Sequence, residues 1–316
     1  MCSRETTLLI GRRLGFTVIE LAVVLAIIGV LGASIGLLLM RQQRFYRGTS
    51  ELIATRQSVR DAIEVLATDI RGMSAADTVR LLADSAIEFF SSIGSSVACQ
   101  AVSANQVGLP PAGGGKWGEG RESLTSFATQ PDTGDLAVFY VDSGLVSERW
   151  HRYRILGFSS RTLATTCPAS SGFSTYAQEA SAAKAFSVSL DAPLNAGIHA
   201  GSPVQFVRRG RYSLYRASDG DWYLGYRRCN AIGPSVCGPI QPLSGPYRPY
   251  NRDVTQSGLG FEYFDRSGAT VQTPLSLSRV DIVARAAGRP TVSLEGRTWT
   301  PRDSARVSVA VRNRLE

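Results

Sequence analysis

The sequence predicts an α+β protein: a long N-terminal α-helix, first membrane-like and then amphipathic, packed on an antiparallel β-sheet head. Three observations predict it. Phe16 to Met40 is an apolar run of 25 residues with a single charge, Glu20. From Leu52 to Met73 apolar residues recur at helical spacing. From Asp135 onward short runs alternate apolar and polar residues between Asp/Gly/Ser turns. The boundaries that follow are a short segment over 1–15 ahead of the run, a transmembrane helix over 16–40, its amphipathic continuation over 41–73 and a β-rich head over 74–316.

About 20 helical residues cross a ~30 Å hydrocarbon core, so the 16–40 run is long enough to span a membrane. A carboxylate within such a run is costly and marks a functional site by default. An ordinary secretory signal has a shorter apolar core and an A-x-A-like site; Gly32-Ala33-Ser34-Ile35-Gly36 is a poor one. A plain anchor has no use for Glu20, and Arg12-Arg13 reads as a cytoplasmic flank rather than a twin-arginine export signal. Arg4, Arg12 and Arg13 precede the run and Arg41, Arg44 and Arg47 follow it, so the positive-inside rule leaves orientation open.

Gly15-Phe16-Thr17-Val18-Ile19-Glu20-Leu21, with its basic leader and apolar run, resembles the class III signal of type IV prepilins and type II secretion pseudopilins. The match covers Arg12 to Met40. The resemblance implies a pilin-like fold, with residues 16–40 in the filament core after assembly. It implies that prepilin peptidase cuts between Gly15 and Phe16 and methylates the new amino group of Phe16. It implies that Glu20 neutralises an N-terminal amine during assembly. A buried carboxylate needs a cationic partner, and cleavage creates one a single helical turn away. The location implied is single-pass in a bacterial inner membrane, head in the periplasm, then in a surface filament. Major pilins that resemble this segment often carry proline at the position of Leu37.

The helix continues past the membrane. No proline occurs from Arg41 to Met73, and Leu52, Val59, Ile63, Leu66, Ile70 and Met73 form one apolar stripe. Gly29, Gly32 and Gly36 are weak spots in its interior. Asp77 to Phe90 reads as a short helix with Asp77 as N-cap, and Gly108 to Gly120 as a Gly/Pro loop. Leu136 to Val141 and Glu148 to Leu156 flank Asp142-Ser143-Gly144, a hairpin pattern. Arg211 to Arg216 and Trp222 to Arg227 flank a second turn, Ser218 to Asp221. Cys167 to Lys184 reads as loop or short helix. Gly260 to Phe264, the alternating Val280, Ile282 and Ala284, and the terminal Val307, Val309 and Val311 read as strands with one wet face. A terminal strand ending in Arg312-Asn313 is similar to the ends of W-type minor pilins and J-type minor pseudopilins, and the chain length favours the W-type. K-type tip pseudopilins typically lack the membrane carboxylate, so Glu20 argues against that class.

The chain carries 34 basic and 26 acidic residues, net +8, with 32 Arg against two Lys, Lys116 and Lys184. Without the leader the balance is 31 to 25. That mild excess permits DNA, anionic lipid or acidic partners without arguing for any of them. Removing Cys2 with the leader leaves Cys99, Cys167, Cys229 and Cys237, an even set suited to an oxidising compartment. Three pairings are possible, and four reduced, buried thiols are the alternative. Gly233-Pro234 lies midway between Cys229 and Cys237 and favours that pair, which leaves Cys99 with Cys167.

Catalytic and cofactor chemistry finds no support. H-E-x-x-H and C-x2-C are missing, and His151 and His199 stand apart. Gly113-Gly114-Gly115-Lys116 has Pro110 where a phosphate loop requires its first glycine and Trp117 where it requires Ser/Thr. Asp219, Asp221 and Asp253 read as turn residues rather than a calcium site. The expectation is a non-enzymatic subunit with no metal or cofactor: a minor pilin that helps initiate or sustain pilus assembly. Its expected partners are prepilin peptidase, other major and minor pilins or pseudopilins, and inner-membrane lipid. The rivals are a minor pseudopilin of type II secretion and a DNA-uptake or adhesive pilin. The last would grip nucleic acid or another ligand through the Arg/aromatic segments Arg208–Tyr215 and Tyr223–Arg228, which read first as an arginine-rich solvated sheet face with its aromatics packed inward.

Overall fold

The computed structural model describes residues 17–73, 79–112, 123–141, 149–181, 183–271, 273–288, 292–294 and 297–311. The chain has one long N-terminal helix, α1 (Val18–Arg71), and a large antiparallel sheet. Its contacts divide it into two units. The first comprises Met1–Leu52 and Arg289–Thr300; the second comprises Ile53–Gly288 and Pro301–Glu316.

In the first unit α1 is apolar on all sides from Val18 to Met40 apart from Glu20, with Val18, Leu25, Val30 and Leu37 among many large side chains left exposed. It is the one helix among the described residues long and apolar enough to cross a membrane. The unit also holds a two-stranded hairpin outside the main sheet, numbered below with the other strands.

The strands begin with β1 (Leu81–Leu82), β2 (Ala86–Val97), β3 (Gln100–Ser103), β4 (Gln106–Leu109), β5 (Ser126–Phe127) and β6 (Leu136–Val141). Next come β7 (Arg149–Thr162), β8 (Lys184–Leu190), β9 (Pro203–Arg216), β10 (Trp222–Arg228), β11 (Gln241–Tyr247), β12 (Leu259–Phe264) and β13 (Arg279–Ala287). The first unit's hairpin is β14 (Val292–Leu294) and β15 (Arg297–Trp299), and β16 (Arg302–Ala310) ends the series. Short helices α2 (Leu163–Thr166) and α3 (Tyr176–Ala180) follow β7.

The main sheet runs β12-β13-β11-β10-β9-β6-β7-β8-β4-β3. β9 is its hub. β2 pairs along it from Ser213 to Pro203, while β6 pairs at Leu136–Phe139 and β10 from Arg216 to Gly210. β13 is a second hub, flanked by β12 and by β16 over its full length.

Within the second unit the amphipathic half of α1 covers one face of this sheet. Val59, Ala62, Leu66, Ala67 and Ile70 recur at three- to four-residue spacing and are buried with Ile87, Phe89, Leu224, Leu259, Phe261, Val280 and Ile282. The 3.6-residue helical period meets the two-residue strand period on a shared apolar face. Two polar ties fix the contact: the Ser58 hydroxyl donates to the Gly245 carbonyl at 2.7 Å, and the Tyr247 hydroxyl donates to the Ser58 carbonyl at 2.6 Å. A second apolar cluster, around Val107, Leu109, Phe139, Ile155, Val188 and Phe206, is made by strands and their loops.

Several elements differ from their sequence reading. Val79 to Phe90, expected as helix, forms β1 and the start of β2, because eleven residues of β2 pair with β9. Asp77 lies outside the described residues. Gly108 and Leu109, expected in a loop, belong to β4 and pair with β8. Gly108 is glycine because the Thr166 backbone passes where a Cβ would sit. β7 and β9 each run 14 residues, beyond the short runs expected. β9 is buried on both faces for much of its length, so period-two alternation does not mark its extent. β13 likewise buries Asp281 and Val283 along with Val280 and Ile282.

Two disulfides staple the second unit: Cys99–Cys167, 68 residues apart, and Cys229–Cys237, 8 apart. In the chain-entropy description the longer loop contributes more, about 4 kcal/mol against about 2.5 kcal/mol.

Replacing Leu66, which has no exposed surface, by Ala should lower stability by about 2–5 kcal/mol. A urea titration of the detergent-solubilised chain measures this. A loss below about 1 kcal/mol would mean that the helix stripe is not packed as described.

Candidate functional site

Gly15 and Phe16, the expected cleavage junction and methylation site, lie outside the described residues. The first described residue, Thr17, caps α1. Its hydroxyl accepts the Glu20 backbone N–H at 3.3 Å, and the Glu20 carboxylate accepts the Thr17 backbone N–H at 2.9 Å and its hydroxyl at 3.0 Å. This reciprocal pair is a capping box, which satisfies two of the helix's orphan donors. The signal is in the sequence: Thr17 is followed three residues later by Glu20. The capped carboxylate is exposed at the start of the apolar stretch of α1.

The Arg/aromatic strands keep their aromatics packed inward, as the first sequence reading has them, but their arginines meet carboxylates rather than solvent alone. Glu88, on β2, lies directly opposite Arg211 on β9 and is fully buried. Its two oxygens accept from Arg209 Nε at 2.6 Å, Arg211 Nε at 2.7 Å and the Ser235 hydroxyl at 2.8 Å and 3.0 Å. Arg209 also donates to the carbonyls of Asn230 and Gly233, inside the loop closed by Cys229–Cys237. Burial by itself raises the Glu88 pKa. The bonds from Ser235, Arg211 and Arg209 outweigh it and hold the carboxyl below its ordinary value.

Asp135 does the same work one strand over. It takes a two-pronged contact from Arg208, at 2.9 Å and 2.7 Å, and a third bond from Arg228 at 2.9 Å. Arg228 reaches Asp132 as well, at 3.1 Å. The fork geometry of guanidinium suits such shared carboxylates in a way ammonium does not. The aromatics pack inward or on each other: Tyr212 stacks on Phe89, and Tyr226 lies against Gly210. Arg208, Arg209, Arg211 and Arg228 are thus committed to internal carboxylates.

A cleft of about 220 Å³ opens beside this network, lined by Asp69 of α1 and by Ser92, Arg208, Tyr212 and Tyr226. Asp69 accepts a hydrogen bond from the Tyr212 hydroxyl. Burial raises the Asp69 pKa, and the Tyr212 bond offsets part of that rise. Burial also raises Tyr212 and Tyr226, so both phenols stay protonated.

The remaining polar candidates are turn chemistry. Asp219 accepts from the Asp221 N–H and the Tyr223 hydroxyl, and Asp253 accepts from the N–H and hydroxyl of Thr255. Glu88, Cys229 and Cys237 bring ligand-type atoms close together. The two sulfurs are joined in a disulfide and offer no thiolate. His151 lies on β7 opposite Phe139, and the His199 ring contacts the Gly197 carbonyl.

Searched against protein-family models, curated proteins and solved structures, the chain matches none.

Glu88→Gln should cost about 3–5 kcal/mol, because it leaves Arg209 buried without its counter-charge. The folded pKa of Glu88 is depressed. Its contribution is therefore present above the unfolded glutamate range near ~4.3 and is lost as pH falls through the lower folded value. Urea midpoints taken from pH 7 down to pH ~3 should show an acid-side loss in the wild type that is smaller in Glu88→Gln. Equal slopes in the two chains would remove Glu88 from the acid response.

Proposed function

We propose that this chain is a minor subunit of a type IV pilus-like filament that helps initiate or sustain assembly. In this reading prepilin peptidase cuts the leader between Gly15 and Phe16 and methylates the Phe16 amine. The apolar half of α1 holds the subunit in the inner membrane, with the head in the periplasm, until it is drawn into the filament core. The observation that carries the reading is the helix itself: its first half exposes apolar side chains on every side, and its one charge, Glu20, sits at the start. An all-round apolar helix needs lipid or other helices around it, and a single terminal carboxylate among them needs a cation. The amine created at Phe16 supplies one. Thr17 and Glu20 hold the carboxylate at that end until the amine of this subunit or a neighbour pairs with it. The disulfides suit the oxidising compartment this topology gives the head. The arginines of the head are engaged by Glu88, Asp135 and Asp132, which favours a structural over a nucleic-acid role for them.

The first experiment is the amount of sheared surface pili in a strain lacking this protein. Loss of pili, restored by the wild-type gene, is the expected result. Undiminished pili would overturn the pilus assignment and turn attention to protein export through a secretion filament.

Glu20→Ala should leave leader cleavage intact, read as a mobility shift on a gel, and reduce incorporation into filaments several-fold. Unchanged incorporation would remove Glu20 from assembly. Glu20→Gln separates the two roles, since an amide oxygen still caps the helix but carries no charge for an amine.

A further inference from the structure

β16 is the last strand of the sheet on its side. Its residues pair with β13 from Arg302↔Ala287 to Ala310↔Arg279 without a bulge. The ladder bonds at its two ends fix its phase. Gly288 N–H donates to the Pro301 carbonyl at 2.8 Å and Val311 N–H to the Ser278 carbonyl at 2.9 Å. Hydrogen-bonded pairs in an antiparallel ladder alternate, so odd-numbered residues of β16 turn their N–H and C=O toward β13. Those of Arg302, Ser304, Arg306, Ser308 and Ala310 point outward. Among the described residues, no strand pairs with that outer edge. The outward N–H of Ser304 is taken by the neighbouring Asp303 carboxylate at 2.9 Å, which leaves the open stretch from Arg306 to Ala310.

Open edges are templates for another strand, and proteins blunt them with charged side chains, proline, bulges or brevity. β16 has nine residues and contains no proline. Its two faces specify what fits. Ala305, Val307 and Val311 are half-buried against the apolar core and end its apolar row at the sheet's rim. On the other face lie Arg302, Arg306 and Arg279; Arg306 pairs with Glu262 and Asp281, and Arg279 with Asp281. Directly after the strand the sequence adds Arg312 and Arg314. The rim is basic on its exposed face and apolar on its inner one.

We propose that the outer edge of β16 is a strand-addition surface for an extended segment of another protein, alternating apolar with acidic residues. Its backbone continues the sheet at Arg306, Ser308 and Ala310. Its apolar side chains lie beside Val307, and its carboxylates face Arg302 and Arg306. A second copy of this chain fits less well: in the full-overlap two-fold register Arg306 lies opposite Arg306, and directly opposed like charges destabilise a ladder. The surface stands on the sheet alone and does not depend on the filament reading.

The test uses the full chain in detergent micelles and two synthetic nine-residue peptides, one alternating valine with glutamate and serine, the other valine with lysine and serine. Backbone hydrogen exchange is read residue by residue. The acidic peptide should slow exchange at Arg306, Ser308 and Ala310 by about tenfold or more, leaving Val307 and Val309 as they were, and the lysine peptide should do much less. Ala310→Pro removes an outward N–H without touching the β13 ladder. It should keep the wild-type melting temperature and lose the effect. Unprotected amides, equal protection by both peptides, or undiminished binding to a folded Ala310→Pro chain would overturn the proposal. Protection that appears without peptide and grows with protein concentration would assign the edge to a second copy instead.

Discussion

The packing of one helix stripe against one sheet face is the constraint on which the head depends. Val59, Leu66 and Ile70 supply the bulk of the stripe, while Ala62 and Ala67 keep it thin enough for close approach. Because side chains alternate along a strand, this contact decides the parity of every strand beneath it. Ile87 and Phe89 of β2, Phe261 of β12, and Val280 and Ile282 of β13 must point to the helix. Their neighbours must point away, and that is where the carboxylates and guanidiniums of β2, β9, β13 and β16 are forced to meet.

The charge network follows from that forced meeting. Glu88, Asp135 and Asp281 are buried carboxylates that each engage two arginines. A buried carboxylate with one partner removed is a large penalty, so these sets are held together more by the cost of breaking them than by net attraction. Arg208, Arg209, Arg211, Arg228, Arg279 and Arg306 are thus held by carboxylates of the head. The Cys229–Cys237 loop is part of the same arrangement, because Arg209 and Ser235 tie its backbone and side chains to Glu88. The rim at β16 differs: its arginines are exposed at the side chain and its backbone edge is open.

The N-terminal half of the helix obeys another logic. With apolar side chains all round, it gains nothing from one preferred face. Its only local specification is the Thr17–Glu20 box, which starts the helix and positions the charge. Cap and charge are the same carboxylate, so a substitution at Glu20 touches helix start and charge pairing at once.

What was legible in the sequence was whatever is periodic. The apolar run from Phe16 and the stripe through Leu66 and Ile70 stand out because a helix repeats every 3.6 residues. β6, β10, β12 and β16 stand out because their one-sided or turn-bounded patterns repeat every two. β9 was seen only from Arg211, because burial on both faces erases the alternation that marks a strand. The start of β2 has the local pattern of a helix because its strand character comes from its β9 partner, more than a hundred residues away. The Arg/aromatic segments read as a solvated face or a binding face because arginines written side by side carry no sign of the carboxylates that meet them. Glu88 and Asp135 are far from Arg208–Arg211 in the chain, and only the sheet brings them within 2.6–2.9 Å. The sequence alone determined the apolar helix, its single carboxylate and the α+β class, since these rest on local spacing and composition. The tertiary structure decided which charges are spent internally and which strand edge stays open, since both depend on pairings between distant segments.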